Sequence, residues 1–240
     1  MTTAFISDLH LDASRPAVTA LFRDFLAGEA RELDALYILG DLFEAWIGDD
    51  DPDPHNTAVK EDLHALTAAG VPGYFMHGNR DFLVGDAFSR DTGFTLLDDP
   101  VVINLHGTPA LLTHGDALCI DDVDYQTFRQ TVHEPAWQQA FLSQPLEARR
   151  QLAGQARAES KRQQQGKTMD IMDVNQGAVE ALMREHNVTR MIHGHTHRPN
   201  THCFQVDGVE RTRIVLGDWY DQGSILRCDD SGCRLEQMPL

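Results

Sequence analysis

The stretch Ala35-Leu36-Tyr37-Ile38-Leu39-Gly40-Asp41 decides how the chain is read. Five successive apolar residues predict a strand buried on both faces. Gly40 lets the chain turn sharply where that strand ends. Asp41 is then left at the carboxyl end of the strand, where open α/β sheets place their ligand sites. A Gly-Asp after one strand is equally compatible with a turn or a helix cap. The recurrence of the pattern elsewhere is what gives it meaning.

Upstream, Thr3 to Ser7 predicts a short strand that ends in Asp8-Leu9-His10. Residues two apart point the same way, so Asp8 and His10 can converge on one point. Pro16 to Ala30 has the apolar spacing of an amphipathic helix, which makes the segment a βαβ unit with parallel strands. Downstream, Asn56 to Ala69 predicts a helix. Gly73 to Met76 predicts a strand that ends in His77-Gly78-Asn79-Arg80-Asp81. Phe94 to Thr113 predicts short antiparallel strands of a second sheet, ending in His114-Gly115-Asp116. Val174 to His186 predicts a helix, and Arg190 to Ile192 a strand leading into His193-Gly194-His195-Thr196-His197. Thr201 to Met238 alternates like successive antiparallel strands with turns at Asp207-Gly208 and Ser231-Gly232. Gly217-Asp218 is one further Gly-Asp junction.

The strand ends together supply Asp8, His10, Asp41, Asn79, His114, His195 and His197. Carboxylates and imidazoles without thiolate suit Mn²⁺, Fe²⁺ or Zn²⁺ at a catalytic site, and argue against a structural zinc. Seven ligands exceed the need of one ion with an open position. They suffice for two ions that share a carboxylate.

Composition narrows the field. The chain has 240 residues and a net charge of −17, from 20 Lys and Arg against 37 Asp and Glu. Such a balance excludes general duplex nucleic-acid binding, which needs clustered cations. The N-terminus lacks the features of a signal peptide, and no apolar run reaches the roughly 18 residues of a spanning helix. The four cysteines show no CxxC spacing and are expected to be reduced in a cytoplasmic protein; a Cys228–Cys233 bridge across a hairpin is the less favoured alternative. Residues 121–173 differ from the rest, with almost no strand pattern, scattered aromatics and a local excess of Arg and Lys. They predict a helical insertion within one domain spanning 1–240.

Asp8-x-His10, Gly40-Asp41, Gly78-Asn79-Arg80-Asp81, His114-Gly115 and Gly194-His195-x-His197 resemble, in order, the motifs of the calcineurin-like metallophosphoesterase superfamily. The resemblance implies an α/β (α+β) fold: a four-layer αββα sandwich of two mixed β-sheets flanked by helices. It also implies that Asp8, His10, Asp41 and His197 hold one metal, and Asp41, Asn79, His114 and His195 the other. Arg80 departs from the usual pattern, which has His after the Asn. Arg cannot donate its proton to a leaving alkoxide, but it binds phosphate oxygens in a fork and stabilises developing charge. That favours a diphosphate, whose phosphate leaving group needs little protonation.

Phe43-Glu44-Ala45-Trp46-Ile47-Gly48-Asp49-Asp50, the His77–Leu83 stretch, Glu159-Ser160, Ile171-Met172-Asp173-Val174 and the Ile192–Pro199 stretch further resemble a lipid A-pathway family of diphosphatases that act on an acylated sugar nucleotide. That resemblance implies two Mn²⁺ per chain and water attack on the α-phosphorus, with Asp41, Asn79, Arg80 and His195 in catalytic roles. It further implies substrate contacts from Asn79, Arg80, Asp122, Ser160, Gln164, Lys167 and His195. In the insertion, Tyr125, Phe128, Trp137, Phe141 and Leu142 are expected to line an acyl groove. Arg157, Lys161 and Lys167 are expected to meet phosphates. The partners expected are a lipid-linked sugar nucleotide and, peripherally, the cytoplasmic face of the inner membrane, with no obligate protein partner. Two alternatives remain: another dinuclear phosphoesterase acting on a nucleotide diphosphate or phosphodiester, and a non-catalytic interaction module on the same fold.

Overall fold

The computed structural model describes residues 1–164 and 173–240, apart from the side chains at 161, 163 and 164. Four short apolar strands, β1 (Thr3–Ile6), β2 (Ala35–Leu39), β3 (Gly73–Met76) and β4 (Thr95–Leu97), pair in parallel. A hairpin of β10 (Gln222–Asp229) and β11 (Gly232–Pro239) extends this sheet antiparallel to β1. The second sheet has β6 (Thr108–Thr113), β7 (Arg190–His193) and β9 (Val209–Val215) in parallel. Its edges are β5 (Val101–Leu105) and β8 (Asn200–Val206), both antiparallel.

The apolar runs are continuous because both faces of each sheet are covered. Within β2, Leu36 and Ile38 face the helices α1 (Pro16–Ala27) and α2 (Pro54–Ala68), together with α3 (Asp86–Thr92). Leu39 faces the other way, into the layer between the sheets, where it joins Phe5, Met76, Leu112, Ile192 and Ile214. On the far side of the second sheet, Leu111 and Met191 pack against Val179 and Met183 of α7 (Gln176–Glu185). Period-two alternation thus sorts one strand's residues into two cores. The result is the expected αββα sandwich of two mixed sheets. Among the described residues between β6 and α7 stand three α-helices, α4 (Val123–His133), α5 (Pro135–Leu142) and α6 (Leu146–Gln164).

Three local expectations are corrected. Thr95–Leu97 belongs to the first sheet, parallel to β3, because α3 carries the chain back along that sheet. The strands after Thr201 pair antiparallel and turn at Asp207-Gly208 as expected, but they divide into two hairpins, one in each sheet. Cys228 and Cys233 are joined in a disulfide. They are direct cross-strand partners in the β10–β11 hairpin, with Cα atoms 4.1 Å apart. Cys119 and Cys203 keep their thiols. No helix among the described residues is long and apolar enough to cross a membrane.

Candidate metal centre and substrate cavity

Parallel pairing brings the carboxyl ends of β1, β2 and β3 beside those of β6 and β7. Asp8, His10, Asp41, His195 and His197 then turn through the left-handed region, with φ of 56°, 48°, 53°, 68° and 55°. Such φ values are uncommon for residues with a Cβ and cluster at functional sites. Backbone bonds hold the turns together: the His10 N–H donates to the Asp41 carbonyl at 2.9 Å, and the Gly194 N–H to the His114 carbonyl at 3.0 Å. Gly78 is required because a Cβ there would run into the Asp41 amide and carboxylate. Buried Asp81 accepts from the N–H groups of Gly78, Asp41, Leu42 and Phe43 at 2.8–3.3 Å, tying the loops after β2 and β3. Burial, reinforced by Asp41, pushes its carboxyl up to about 6.

All seven predicted strand-end residues converge. Ligand atoms of Asp8, His10 and His197 lie within 4.8 Å of one another, as do those of Asp8, Asp41 and His114. Asp41 stands between two groups, with Oδ2 3.8 Å from His10 Nε2 and Oδ1 3.9 Å from His114 Nε2. Asn79 Oδ1 is 3.1 Å from His114 Nε2 and 3.0 Å from His195 Nδ1.

The donor set fits divalent cations. Asp8 Oδ1 is buried with no hydrogen-bond partner, and the Nε2 atoms of His10 and His197 face each other at 3.3 Å. Burial opposes charge on His114, yet Asp41, Asp116 and Asp8 raise it to about 9. At His197 burial is likewise overcome, by Asp8 and Asp218, which raise it to about 10. Buried imidazoles that gain protons report a field negative enough to favour a cation. Burial and neighbouring His114 together lower His195 to about 4.

Two residues outside the predicted set orient the imidazoles. His10 Nδ1 lies 3.3 Å from Glu44 Oε2, and His197 Nδ1 lies 3.3 Å from Asp218 Oδ2. Each carboxylate lies beside the outer nitrogen of its imidazole, whose Nε2 points inward, the placement from which a carboxylate orients a metal-binding imidazole and raises its basicity. His114 Nδ1 instead faces the Leu39 carbonyl at 2.8 Å. The Gly217-Asp218 junction and the Phe43–Asp50 stretch carried the signal for these residues, but their contact with a particular imidazole is tertiary.

A cavity of about 530 Å³ opens beside the cluster. Asn79, Arg80 and Glu44 form one end, and Trp46, Phe82, Tyr125, Phe128, Trp137, Phe141 and Leu152 line the rest. Arg80 keeps its Nε buried and without a hydrogen bond. Asp122, which caps α4 by accepting from the Tyr125 N–H at 3.1 Å, also lines the cavity, as do Ser160 and Arg157. Leu142 departs from expectation: it lies outside the lining and packs near Gly48. Lys167 and the side chains of Lys161 and Gln164 lie outside the described residues.

Part of the basic excess in residues 121–173 serves structure. Buried Arg149 donates to both carboxylate oxygens of Asp50 and to the Ile47 carbonyl, and Arg150 pairs with Asp51 at 2.6 Å. On α4, the Tyr125 hydroxyl and Arg129 Nε donate to buried Asp116 Oδ2 at 2.6 and 2.7 Å. The Tyr125 ring stacks on His195 with centroids 5.9 Å apart.

Carboxylates and imidazoles around a cation-favouring pocket, with an arginine aimed at an adjoining cavity, define a site for divalent-metal chemistry on phosphates. Residues 1–199 match the sequence profile of the calcineurin-like phosphoesterase family, and the chain belongs to that family. Over its full length it is similar to curated proteins named UDP-2,3-diacylglucosamine hydrolase. The Vibrio parahaemolyticus protein is 52% identical over 239 residues, covering 100% of this chain and 99% of the relative. The Xanthomonas campestris (strain B100) protein is 55% identical over 247 residues, covering all of both chains.

Proposed function

We propose that the chain hydrolyses the diphosphate bond of UDP-2,3-diacylglucosamine, releasing UMP and 2,3-diacylglucosamine 1-phosphate as a step of lipid A biosynthesis. The observation that carries this reading is the continuity of the apolar cavity with Arg80 and the strand-end cluster. The cavity suits acyl chains, and the cluster suits a phosphorus atom. The names of the full-length relatives support the same substrate.

Asp8, His10, Asp41 and His197 would hold one Mn²⁺, and Asp41, Asn79, His114 and His195 the other. When bound, such a pair supplies Lewis acidity and lowers the pKa of water toward neutrality. Asp41 serves both positions, since its two oxygens face different imidazoles. Arg80 presents an unpartnered buried Nε to the phosphoryl oxygens and stabilises the charge that develops there. Water adds to the α-phosphorus as the bond to the bridging oxygen breaks; the attacking water gives up its proton to solvent, the bridging oxygen leaves with the sugar phosphate, and that phosphate needs no protein acid. Asn79 and His195 orient the phosphoryl group. Helices α4–α6, within the segment 121–173, form a cap on the single domain 1–240. Asp122 and Ser160 contact the sugar from the cavity wall, with Gln164 and Lys167 completing the set. The remaining basic side chains and exposed apolar residues of the cap support peripheral association with the cytoplasmic face of the inner membrane, without an obligate protein partner.

Each buried methylene contributes about 0.8 kcal/mol. Removing the acyl chains therefore costs orders of magnitude in kcat/KM. The test is Mn²⁺-dependent release of UMP from UDP-2,3-diacylglucosamine and from UDP-glucosamine lacking acyl chains. Equal rates would sink the lipid reading, and no release from either would sink the hydrolase.

A further inference from the structure

The acyl cavity accounts for only one arm of a sugar-nucleotide substrate. It meets the cluster on the side of Glu44, Asn79 and Arg80. His10 and His197 are covered by Tyr220, which does not itself line the cavity. The Tyr220 ring runs parallel to His10 at 6° with centroids 5.4 Å apart, and its centroid is 5.4 Å from that of His197. His10 is 3% exposed beneath it, while Tyr220 remains 44% exposed. A large aromatic at the edge of a charged site, left open on this scale, has apolar surface to offer a ligand.

The ring is held rigidly. Arg15 places its guanidinium carbon 4.5 Å from the Tyr220 centroid. The same guanidinium donates to the Leu9, His10 and Trp219 carbonyls at 3.2, 3.2 and 2.8 Å, binding the β1 loop to the loop after β9. The Tyr220 N–H donates to Asp218 Oδ1 at 3.1 Å, and the Trp219 N–H to the Asp8 carbonyl at 3.1 Å. The platform is therefore in register with Asp8, His10, His197 and Asp218 before any ligand arrives, and little conformational entropy is lost on binding.

We propose that Tyr220, braced by Arg15, is the stacking platform for the nucleobase of the substrate, an inference that rests on the diphosphatase activity proposed above. A substrate whose acylated sugar fills the cavity and whose α-phosphorus meets the cluster has its nucleoside arm left outside the cavity, and Tyr220 offers that arm an exposed ring over His10 and His197. Stacking of a planar base on an aromatic ring is tolerant of base identity, so this subsite selects for a nucleoside and leaves discrimination among bases to other contacts.

The test is direct binding of two probes to the metal-loaded protein, UMP and ribose 5-phosphate, which share a phosphate and a sugar and differ by the base. Wild type is expected to bind UMP about tenfold more tightly than ribose 5-phosphate. Tyr220→Leu, which keeps apolar bulk over His10 but has no π face, is expected to reduce that ratio to near one, while Tyr220→Phe retains it. Taking a ratio within each variant cancels any change in metal content. A UMP preference that survives in Tyr220→Leu, or its absence from wild type, would overturn the proposal. UMP release from UDP-2,3-diacylglucosamine by wild type is measured separately. Its failure alongside a Tyr220-dependent UMP preference would discard the assigned substrate and leave the base platform standing.

Discussion

The strand-end cluster and the helices α4–α6, which we propose cap it, are held by different kinds of force. In the cluster the backbone does the work. Five residues adopt left-handed φ, Gly78 allows an approach that no Cβ permits, and Asp81 gathers four N–H groups. The cap is tied down by side chains, through Arg149 to Asp50, Arg150 to Asp51, and Tyr125 with Arg129 to Asp116. Backbone-built geometry tolerates almost no substitution, whereas a cap on side-chain ties can change its lining and keep its seat. Chemistry is thus expected to be lost at the cluster and substrate affinity at the cap.

The sharpest way to break that contrast is Asp41→Ala. Its loss is expected to remove metal from both positions and to cost more than the about 10²–10³-fold that one charge-stabilising group supplies. Elemental analysis with turnover checks it; an active variant with full metal content would place the chemistry elsewhere. Arg80→Ala comes next, with kcat lower by about 10²–10³-fold and metal content unchanged. Arg80→Lys is expected to recover only part of this, because an ammonium lacks the bidentate fork.

Asp218→Asn and Glu44→Gln probe the outer carboxylates. Each is expected to weaken metal binding by about 10- to 100-fold, measured by competition with a chelator, while the fold melts as before. Unchanged affinity in both would mean that His10 and His197 are oriented by their loops alone. At the cap, Arg149→Ala removes charge-assisted hydrogen bonds worth about 1.5–3 kcal/mol. Its expected signature is a KM roughly tenfold higher or more, with kcat changed much less. An equal fall in kcat at constant KM would show that the cap takes part in the chemistry.

The same contrast explains what could be read from the chain. Ala35–Leu39 reveals a strand covered on both faces because each residue is apolar whichever core it enters. Asp8, His10, Asn79, His114, His195 and His197 are legible because metal-binding residue types recur just past predicted strands. Glu44 and Asp218 are not, since they act through His10 and His197 and the contacts span 34 residues or join separate loops. The Cys228–Cys233 bridge depends on cross-strand register, which composition and redox arguments do not contain. The Arg excess in residues 121–173 pointed to phosphates or lipid, yet Arg149 and Arg150 are spent on Asp50 and Asp51. Pairing across 99 residues leaves no local trace.

Central to the proposed function is water attack at the α-phosphorus, held at the strand-end cluster beside the apolar cavity. Hydrolysis of UDP-2,3-diacylglucosamine by the Mn²⁺-loaded protein in ¹⁸O-labelled water, followed by mass spectrometry of both products, tests it directly. One ¹⁸O in UMP and none in 2,3-diacylglucosamine 1-phosphate is the predicted result; label in the sugar phosphate would contradict it.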